Sequence, residues 1–462
     1  MLASPLAPVD VPTGPKDVPT VQVRSNTNTL PSSWWSSERL YELERRAIFS
    51  QSWLFVTHAS RFEKEGTYSS FEIAGYPFFV IREKAAPGQE LQKPVLRAFH
   101  NACRHRAYPV AKKKEGNVGM SGVLSCGYHG WCYDTRGALR KAPQFDNVPG
   151  FDKSANGLFP VHTHVTATGL VFVNFTASPE PPAFNEVFRG FEEEMKEFEF
   201  SDYEYRESYE LHGDFNWKAL MDGYQECYHC PTAHPGLSKA FAIPTYKVVP
   251  RSNYCRHFAD QRPARVVPPP KRPGGERQRS GSITEWLGSF IFAEKVAEQE
   301  ALEKAKNVAG EFDGLWVYAF PNSGINCYSP AWYTLRVVPV SATKTILEYD
   351  IYQKKGIDEQ EMLEFIDFLK QVEQEDFDLC QATQRNLRAG VYTSGVLHPE
   401  KENGVIYYQD MVREKVLQHH EMEKAAGKEI SPASSGPRDS AEDEVCKALE
   451  SGRCGGSRDL EW

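Results

Sequence analysis

Apolar and polar positions divide the chain into stretches of different texture. Between Ser37 and Phe49 (SERLYELERRAIF), Leu40, Leu43, Ile48 and Phe49 recur between charges at helical spacing, which predicts a helix. From Trp53 to about Val173 short β-rich runs alternate with Gly and Pro turns, among them Tyr76–Ile81, Val95–Phe99 and Gly169–Phe175. That texture predicts a small all-β domain. After a Pro-rich linker at Ser178–Pro182, Glu192–Phe200 reads as the start of a charged helix. Leu315–Phe320, Tyr333–Pro339 and Thr345–Tyr352 read as consecutive antiparallel strands, and Asp358 to about Arg388 as one long helix. A Pro/Arg-rich stretch, Arg251–Ser282, interrupts the pattern as a mobile surface loop. There are no internal repeats. The expected organisation is a disordered leader over 1–30, an N-terminal helix over 31–52 that packs on the larger domain, a β domain over 53–176, a larger mixed domain over 177–424 and a disordered tail over 425–462.

Composition supports this division. The chain has 462 residues, 40% hydrophobic and 25% charged, enough apolar material for two or three domains. A net charge of -9 provides no global basic field for nucleic acid or an anionic membrane. No apolar run approaches the ~20 residues of a membrane-spanning helix. The leader lacks the basic and apolar regions of a secretory signal, and Asp10 and Asp17 argue against a transit peptide. With no secretory signal, the ten cysteines read as metal ligands or free thiols, and the expected location is cytoplasmic, with an organelle left open.

Two stretches carry chemistry. The first holds Cys103-Arg104-His105 and then Cys126-Gly127-Tyr128-His129. Two thiolates and two imidazoles, one of each per arm, can bind zinc or a [2Fe–2S] cluster. Zinc sites more often pair C-x2-C with H-x3-5-H. Mixed arms suit a cluster, with the thiolates on one iron and the imidazoles on the other. Cys132, three residues beyond His129, reads as a buried free thiol.

NACRHR followed by SCGYHGWCYDTRGAL resembles the signature of the Rieske non-haem iron oxygenases. Cys103 and Cys126 match the thiolate ligands, and His105 and His129 the imidazole ligands. Two departures stand out. Twenty residues separate His105 from Cys126, more than the family usually has, which implies a longer surface loop around Lys112–Gly122. Ala107 stands where the family usually has Gly.

The second stretch is Asn216–His234 (NWKALMDGYQECYHCPTAH). Asp222, Glu226 and His229 fall at i, i+4 and i+7, one face of a helix. Pro231 should end or kink that helix and let His234 swing round to meet His229. Two histidines need one carboxylate to complete a facial triad, the arrangement of non-haem Fe(II) oxygenases. The segment resembles the family's acid-x3-acid-x2-His-x4-His motif, with His229 and His234 as iron ligands. Glu226 matches the acid that bridges the two metal centres across a subunit boundary. Glu at that position, inside E-C-Y-H-C-P, resembles the choline and carnitine monooxygenase branch. For the third ligand, Phe365, Leu369, Val372 and Leu379 form an apolar stripe with Asp376 at its centre and Asp378 on the solvent side. A carboxylate on a buried face needs a partner or a metal. Asp376 is the expected ligand and Glu375 its rival. EQEDFDLCQATQ also resembles the family segment that carries this carboxylate.

The resemblance implies an α+β fold: a small all-β Rieske domain (53–176) plus a helix-grip, START-like catalytic domain (177–424), an antiparallel sheet covered by helices. It implies a terminal oxygenase with one [2Fe–2S] cluster and one mononuclear Fe(II). Electrons come from NAD(P)H through a separate ferredoxin or flavin reductase. They pass through His105 or His129 and Glu226 to the iron, with Asp222 on the same helix face. One oxygen atom enters a C–H bond and the other leaves as water. A homo-oligomer, most often a trimer, is implied. The expected substrate is a quaternary ammonium compound such as choline, oxidised to betaine aldehyde. Tyr224, Tyr228, Trp316, Tyr318, Phe320, Tyr328 and Trp332 are available for an aromatic cage around it. Four other readings stay open: a secondary-metabolite Rieske oxygenase, an aromatic-ring dioxygenase, an electron-transfer Rieske protein without catalytic iron, and a zinc-stabilised binding module.

Overall fold

The computed structural model describes residues 27–85, 93–260 and 314–434. Seven antiparallel strands form one sheet in the order Leu54–His58, Leu170–Asn174, Pro160–Val165, Leu96–His100, Tyr76–Arg82, Thr67–Ile73 and Glu115–Asn117. A three-stranded sheet, Val123–Ser125, Cys132–Asp134 and Leu139–Lys141, packs beside it. Period-2 alternation explains why one strand serves two cores. In Tyr76–Arg82, Phe78 and Val80 enter the main core, while Phe79 and Ile81 enter a separate cluster with Cys103 and Cys126.

A second seven-stranded antiparallel sheet runs in the order Tyr203–Gly213, Lys344–Lys354, Ala331–Ser341, Ser323–Cys327, Leu315–Ala319, Tyr254–Phe258 and Lys247–Pro250. Ala331–Ser341, third in this order, is buried on both faces over most of its length. Tyr333, Leu335 and Val337 meet the helices Trp217–Tyr224, Glu359–Arg388 and Asn403–Ala426, while Trp332 faces an aromatic cluster with Phe172, Phe188 and Phe191. The fold is therefore α+β, a small β domain beside an antiparallel sheet covered by helices.

Local chemistry sets the helix ends. Ser37 Oγ accepts from the Leu40 amide and starts Glu38–Glu44, which runs on as a π-turn through Phe49. Asp358 caps the long helix through the Gln360 and Glu361 amides, and Arg385 and Arg388 lie at its C-terminal end, where the helix dipole favours cations.

Several expectations need correction. Tyr254–Phe258, inside the stretch expected to be a loop, is a fully buried strand between Lys247–Pro250 and Leu315–Ala319; residues 261–282 lie outside the described residues. Its alternation is hidden because both of its faces are covered. Ser323–Cys327 intervenes between strands expected to be consecutive, for the same reason. The insertion around Lys112–Gly122 contains an edge strand, Glu115–Asn117, pairing with Thr67–Ser69. Residues 27–30 of the expected leader pack on the fold: Leu30 is buried and donates its amide to Gln409. Of the expected disordered tail, residues 427–434 pack back on the fold, with the Ala177 amide donating to Pro432 O. Residues 1–26 and 435–462 lie outside the described residues. The helix Asn403–Ala426 has no counterpart in the sequence reading, because Gly404 to Gln409 are buried all round and blur its periodicity. No helix among the described residues is long and apolar enough to cross a membrane.

Candidate metal centres

Cys103 and His105 lie on the turn after strand Leu96–His100, and Cys126 and His129 at the tip of the hairpin joining Val123–Ser125 to Cys132–Asp134. Both thiols are buried. The two imidazoles lie edge to face with centroids 4.5 Å apart, and His105 stacks on Trp131 at 5.1 Å. His105 Nδ1 is buried without a hydrogen-bond partner. An unpartnered buried ring nitrogen fits a metal ligand. Burial, His129 and Arg106 hold His105 below its usual pKa, so the ring is neutral and its nitrogens can ligate. Burial pushes the Cys103 thiol up, so binding as thiolate must release a proton. The Tyr133 hydroxyl lies 3.2 Å from Cys103 Sγ and accepts from the Arg104 amide at 3.1 Å. The turn after His129 is tight: Gly130 has φ +71°, the left-handed region that favours glycine. Ala107 has φ +54°, the left-handed region that explains a Gly preference there. Cys132 is a free, half-buried thiol.

The second centre forms where the helix Trp217–Tyr224 stops. It ends well before Pro231, so Asp222 and Glu226 do not share a helix face with His229. Gly404 packs closely on the residue after this helix: a Cβ on Gly404 would meet Gln225 O at 2.3 Å. The freed Glu226 carboxylate turns back and accepts from the Tyr228 and His229 amides. His229 then introduces the short helix Cys230–Ala233, and His234 the helix Pro235–Ala240. The two Nε2 atoms come within 3.0 Å of each other. Asp376 Oδ1, from the long helix, lies 3.1 Å from His234 Nε2 and 3.4 Å from His229 Nε2.

These separations test the fit to an ion. Ligands about 2.1 Å from a common centre and at right angles to one another stand about 3.0 Å apart. The triad fits one divalent ion bound on a single octahedral face. The outer nitrogens are held too: Glu226 Oε1 bonds His229 Nδ1, and Glu375 Oε2 lies 2.8 Å from His234 Nδ1. This is the carboxylate–imidazole–metal arrangement that directs the opposite nitrogen at the ion. It places Asp376 among the ligand atoms and Glu375 behind His234. In the metal-free state burial lowers His229, but Asp376 and Glu226 outweigh it and raise it to about 10. Such a negative frame favours a divalent cation, and binding must displace protons. Asp222 stands apart from the imidazoles: it accepts from Gln409 Nε2 at 2.9 Å, and burial pushes it up to about 7.

Cys227 and Cys230 form a disulfide, with Cα atoms 5.0 Å apart, on the loop holding His229. This corrects the expectation of free thiols or ligands, and the C-x-x-C spacing was its signal. Cys230 Sγ lies 3.9 Å from His229 Nε2, but in a disulfide it offers no thiolate.

Beside Asp376 a cavity of about 120 Å3 is walled by Tyr224, Tyr328, Tyr333, Phe365 and Phe368, and it includes Glu373. Of the aromatic residues suggested for a cage, Tyr224 and Tyr328 line it. Tyr228 is exposed, Tyr318 is buried against Tyr408, and Trp332 stacks on Tyr352 on the opposite sheet face. Glu373 was missed in sequence, although it shares the stripe of Leu369 and Asp376. Leu379, assigned to that stripe, is exposed; the buried line passes instead through Glu373, Cys380 and Gln384.

Both parts of the chain are similar to known proteins. Residues 52–152 match the family model for the Rieske [2Fe-2S] domain, and residues 200–418 that for the ring hydroxylating alpha subunit (catalytic domain). The carnitine monooxygenase oxygenase subunit of Acinetobacter baumannii is 25% identical over 394 residues, 83% of this chain and 94% of that protein. The glycine betaine monooxygenase oxygenase subunit of Chromohalobacter salexigens is 27% identical over 414 residues, 85% of this chain and 87% of that protein. The chloroplastic choline monooxygenase of Arabidopsis thaliana is 25% identical over 395 residues, 80% and 78%. The fold matches that of a quaternary ammonium Rieske monooxygenase in complex with L-carnitine, with a TM-score of 0.66, 23% identity, and coverage of 84% of this chain and 95% of that one.

Proposed function

The chain belongs to the Rieske non-haem iron oxygenases, with one [2Fe–2S] cluster and one mononuclear iron, and we propose that it hydroxylates a small quaternary ammonium compound such as choline or a related N-methylated compound. The observation that carries this reading is the aromatic cavity with the buried carboxylate of Glu373, which reaches Asp376, whose Oδ1 stands 3.1 Å from His234 Nε2. Aromatic faces attract a methylated ammonium through their quadrupole, and a carboxylate complements its charge. Relatives named for carnitine, glycine betaine and choline oxidation support the same class.

Each residue has a part in this reading. Cys103, Cys126, His105 and His129 hold the cluster. His229, His234 and Asp376 hold the iron, which when bound supplies the site of dioxygen activation. Glu226 and Glu375 fix the ring orientations so that both Nε2 atoms point inward. Glu226 also links the cluster of a neighbouring subunit to His229, which requires a homo-oligomer, a trimer in this proposal. Asp222 braces the preceding helix through Gln409. Tyr224, Tyr328 and Phe365 exclude water from the reacting end of the substrate. Electrons come from NAD(P)H through a ferredoxin or flavin reductase.

A single-turnover experiment tests the reading. Iron-replete protein is reduced chemically and exposed to oxygen with a panel of quaternary amines and aromatics, and products are read by mass spectrometry. An oxidised quaternary amine is the expected outcome. Product from aromatic compounds alone would refute the substrate class.

A further inference from the structure

Glu373 has an unusual setting. It is 6% exposed, and its two oxygens accept from Tyr333 Oη at 3.1 Å and Tyr349 Oη at 2.6 Å. Two phenols satisfy hydrogen bonds but supply no charge. Among the described residues no Lys, Arg or His forms an ion pair with it. A buried carboxylate without a countercharge is costly, so such groups are protonated, paired with a cation or bound to a metal.

The surroundings show what could supply that charge. Glu373 stands in the wall of the aromatic cavity, and the cavity's only other charged lining residue is Asp376. A larger cavity of about 520 Å3 shares Asp376 with it and has Asp222, Glu226, Asp376 and Glu402 as its charged lining residues. Neither cavity has a Lys or Arg among its described lining residues. A cation entering the aromatic cavity meets π-faces and an unpaired carboxylate. A carboxylate entering it meets the Glu373 carboxylate and no basic group among the described lining residues, and it loses its hydration.

We propose that Glu373 is the anionic anchor of the substrate cavity, and that it selects organic cations lacking a carboxylate over zwitterionic betaines. The inference rests on the reading of the cavity as a quaternary ammonium site. It narrows that class to alkyl- or alkanol-ammonium ions of net positive charge. Glu373 lies about one turn from Asp376 on the same helix, so a cation held by Glu373 lies next to the iron site.

The test is calorimetric titration of the oxidised holoenzyme with four probes. Choline is paired with 3,3-dimethylbutan-1-ol, its neutral carbon isostere, and glycine betaine with its methyl ester, which keeps the headgroup and removes the negative charge. The two cations should each bind about tenfold or more tighter than their partners, the scale of a desolvated charge and cation–π contact. In Glu373→Gln both cations should weaken by about tenfold while the neutral alcohol stays within about twofold. Glycine betaine binding as tightly as its ester to the unmodified enzyme overturns the proposal without any variant. Equal weakening of all four probes in Glu373→Gln also overturns it, because that marks a purely structural role. If none of the four binds, the quaternary ammonium reading fails, and this inference with it.

Discussion

The buried pair Glu44–Lys218 is the strongest link between the N-terminal helix and the helix that leads into the iron site. Both side chains are fully buried, with Nζ 2.6 Å from Glu44 Oε1, and Oε2 accepts from Trp217 Nε1 at 2.8 Å. Burial holds the Lys218 ammonium below its usual pKa even beside Glu44. At this separation and an effective dielectric of about 20 the attraction is about 6 kcal/mol, much of it offset by desolvating two charges. Glu44→Gln keeps the shape and the acceptor for Trp217 but removes the charge, leaving a buried ammonium unpaired. The expected cost is about 3–5 kcal/mol. At about 2–4 °C per kcal/mol for domains of this size, Tm should fall by about 6–20 °C. Lys218→Met in the Glu44→Gln background should restore part of the loss, since a neutral pair has no uncompensated charge. Scanning calorimetry of the four proteins reads the cycle directly. Iron content should be lost with the same midpoint, because Lys218 lies one turn before Asp222 on the helix whose end leads into the loop of Glu226 and His229. A Tm for Glu44→Gln within about 2 °C of the parent would refute the reasoning.

Other outcomes follow from the same geometry. Asp376→Ala or His229→Ala should lower iron from about three to about two atoms per chain with acid-labile sulfide unchanged, and metal analysis that finds full iron in either variant would remove it from the ligand set. Glu226→Gln should retain both metals but slow turnover by about 10–100-fold, as expected for the outer partner of a ligating imidazole, and normal turnover would sink that role. Burial alone would raise the Asp350 carboxyl, yet Arg336 and Arg61 hold it below its ordinary 3.8. A folded pKa below the unfolded one means that its contribution is complete above about pH 4 and is lost as pH falls through the folded value. Asp350→Asn should therefore cost about 3–5 kcal/mol near neutral pH and flatten the acid dependence below about pH 4, and an unchanged acid slope in denaturation would count against it.

The sequence by itself determined the chemistry and much of the frame. Ligand motifs are local. Cys103-x-His105 and Cys126-x-x-His129 occupy single turns, and a turn of a few residues brings its own side chains together wherever the rest of the chain lies. The long helix was legible to within a residue because Asp358 caps it and its apolar stripe keeps one solvent side. Where both faces of an element are covered, as in Tyr254–Phe258, Ser323–Cys327 and the first turns of Asn403–Ala426, alternation and helical period vanish, and so did the prediction. Tertiary structure alone decided the rest. The close packing of Gly404 on Gln225, just past the end of the motif helix, joins segments far apart in sequence. The positions of Asp376 among the ligand atoms and Glu375 behind His234 depend on how the long helix rotates against His234, and one residue turns a helix face by about 100°. The aromatic wall draws Tyr333 from the sheet and Phe365 and Phe368 from the long helix, so no local pattern could assemble it. Glu373 was missed, although it lies on the apolar stripe of Leu369 and Asp376. Its lack of a countercharge is a property of everything packed around it, which only the folded chain defines.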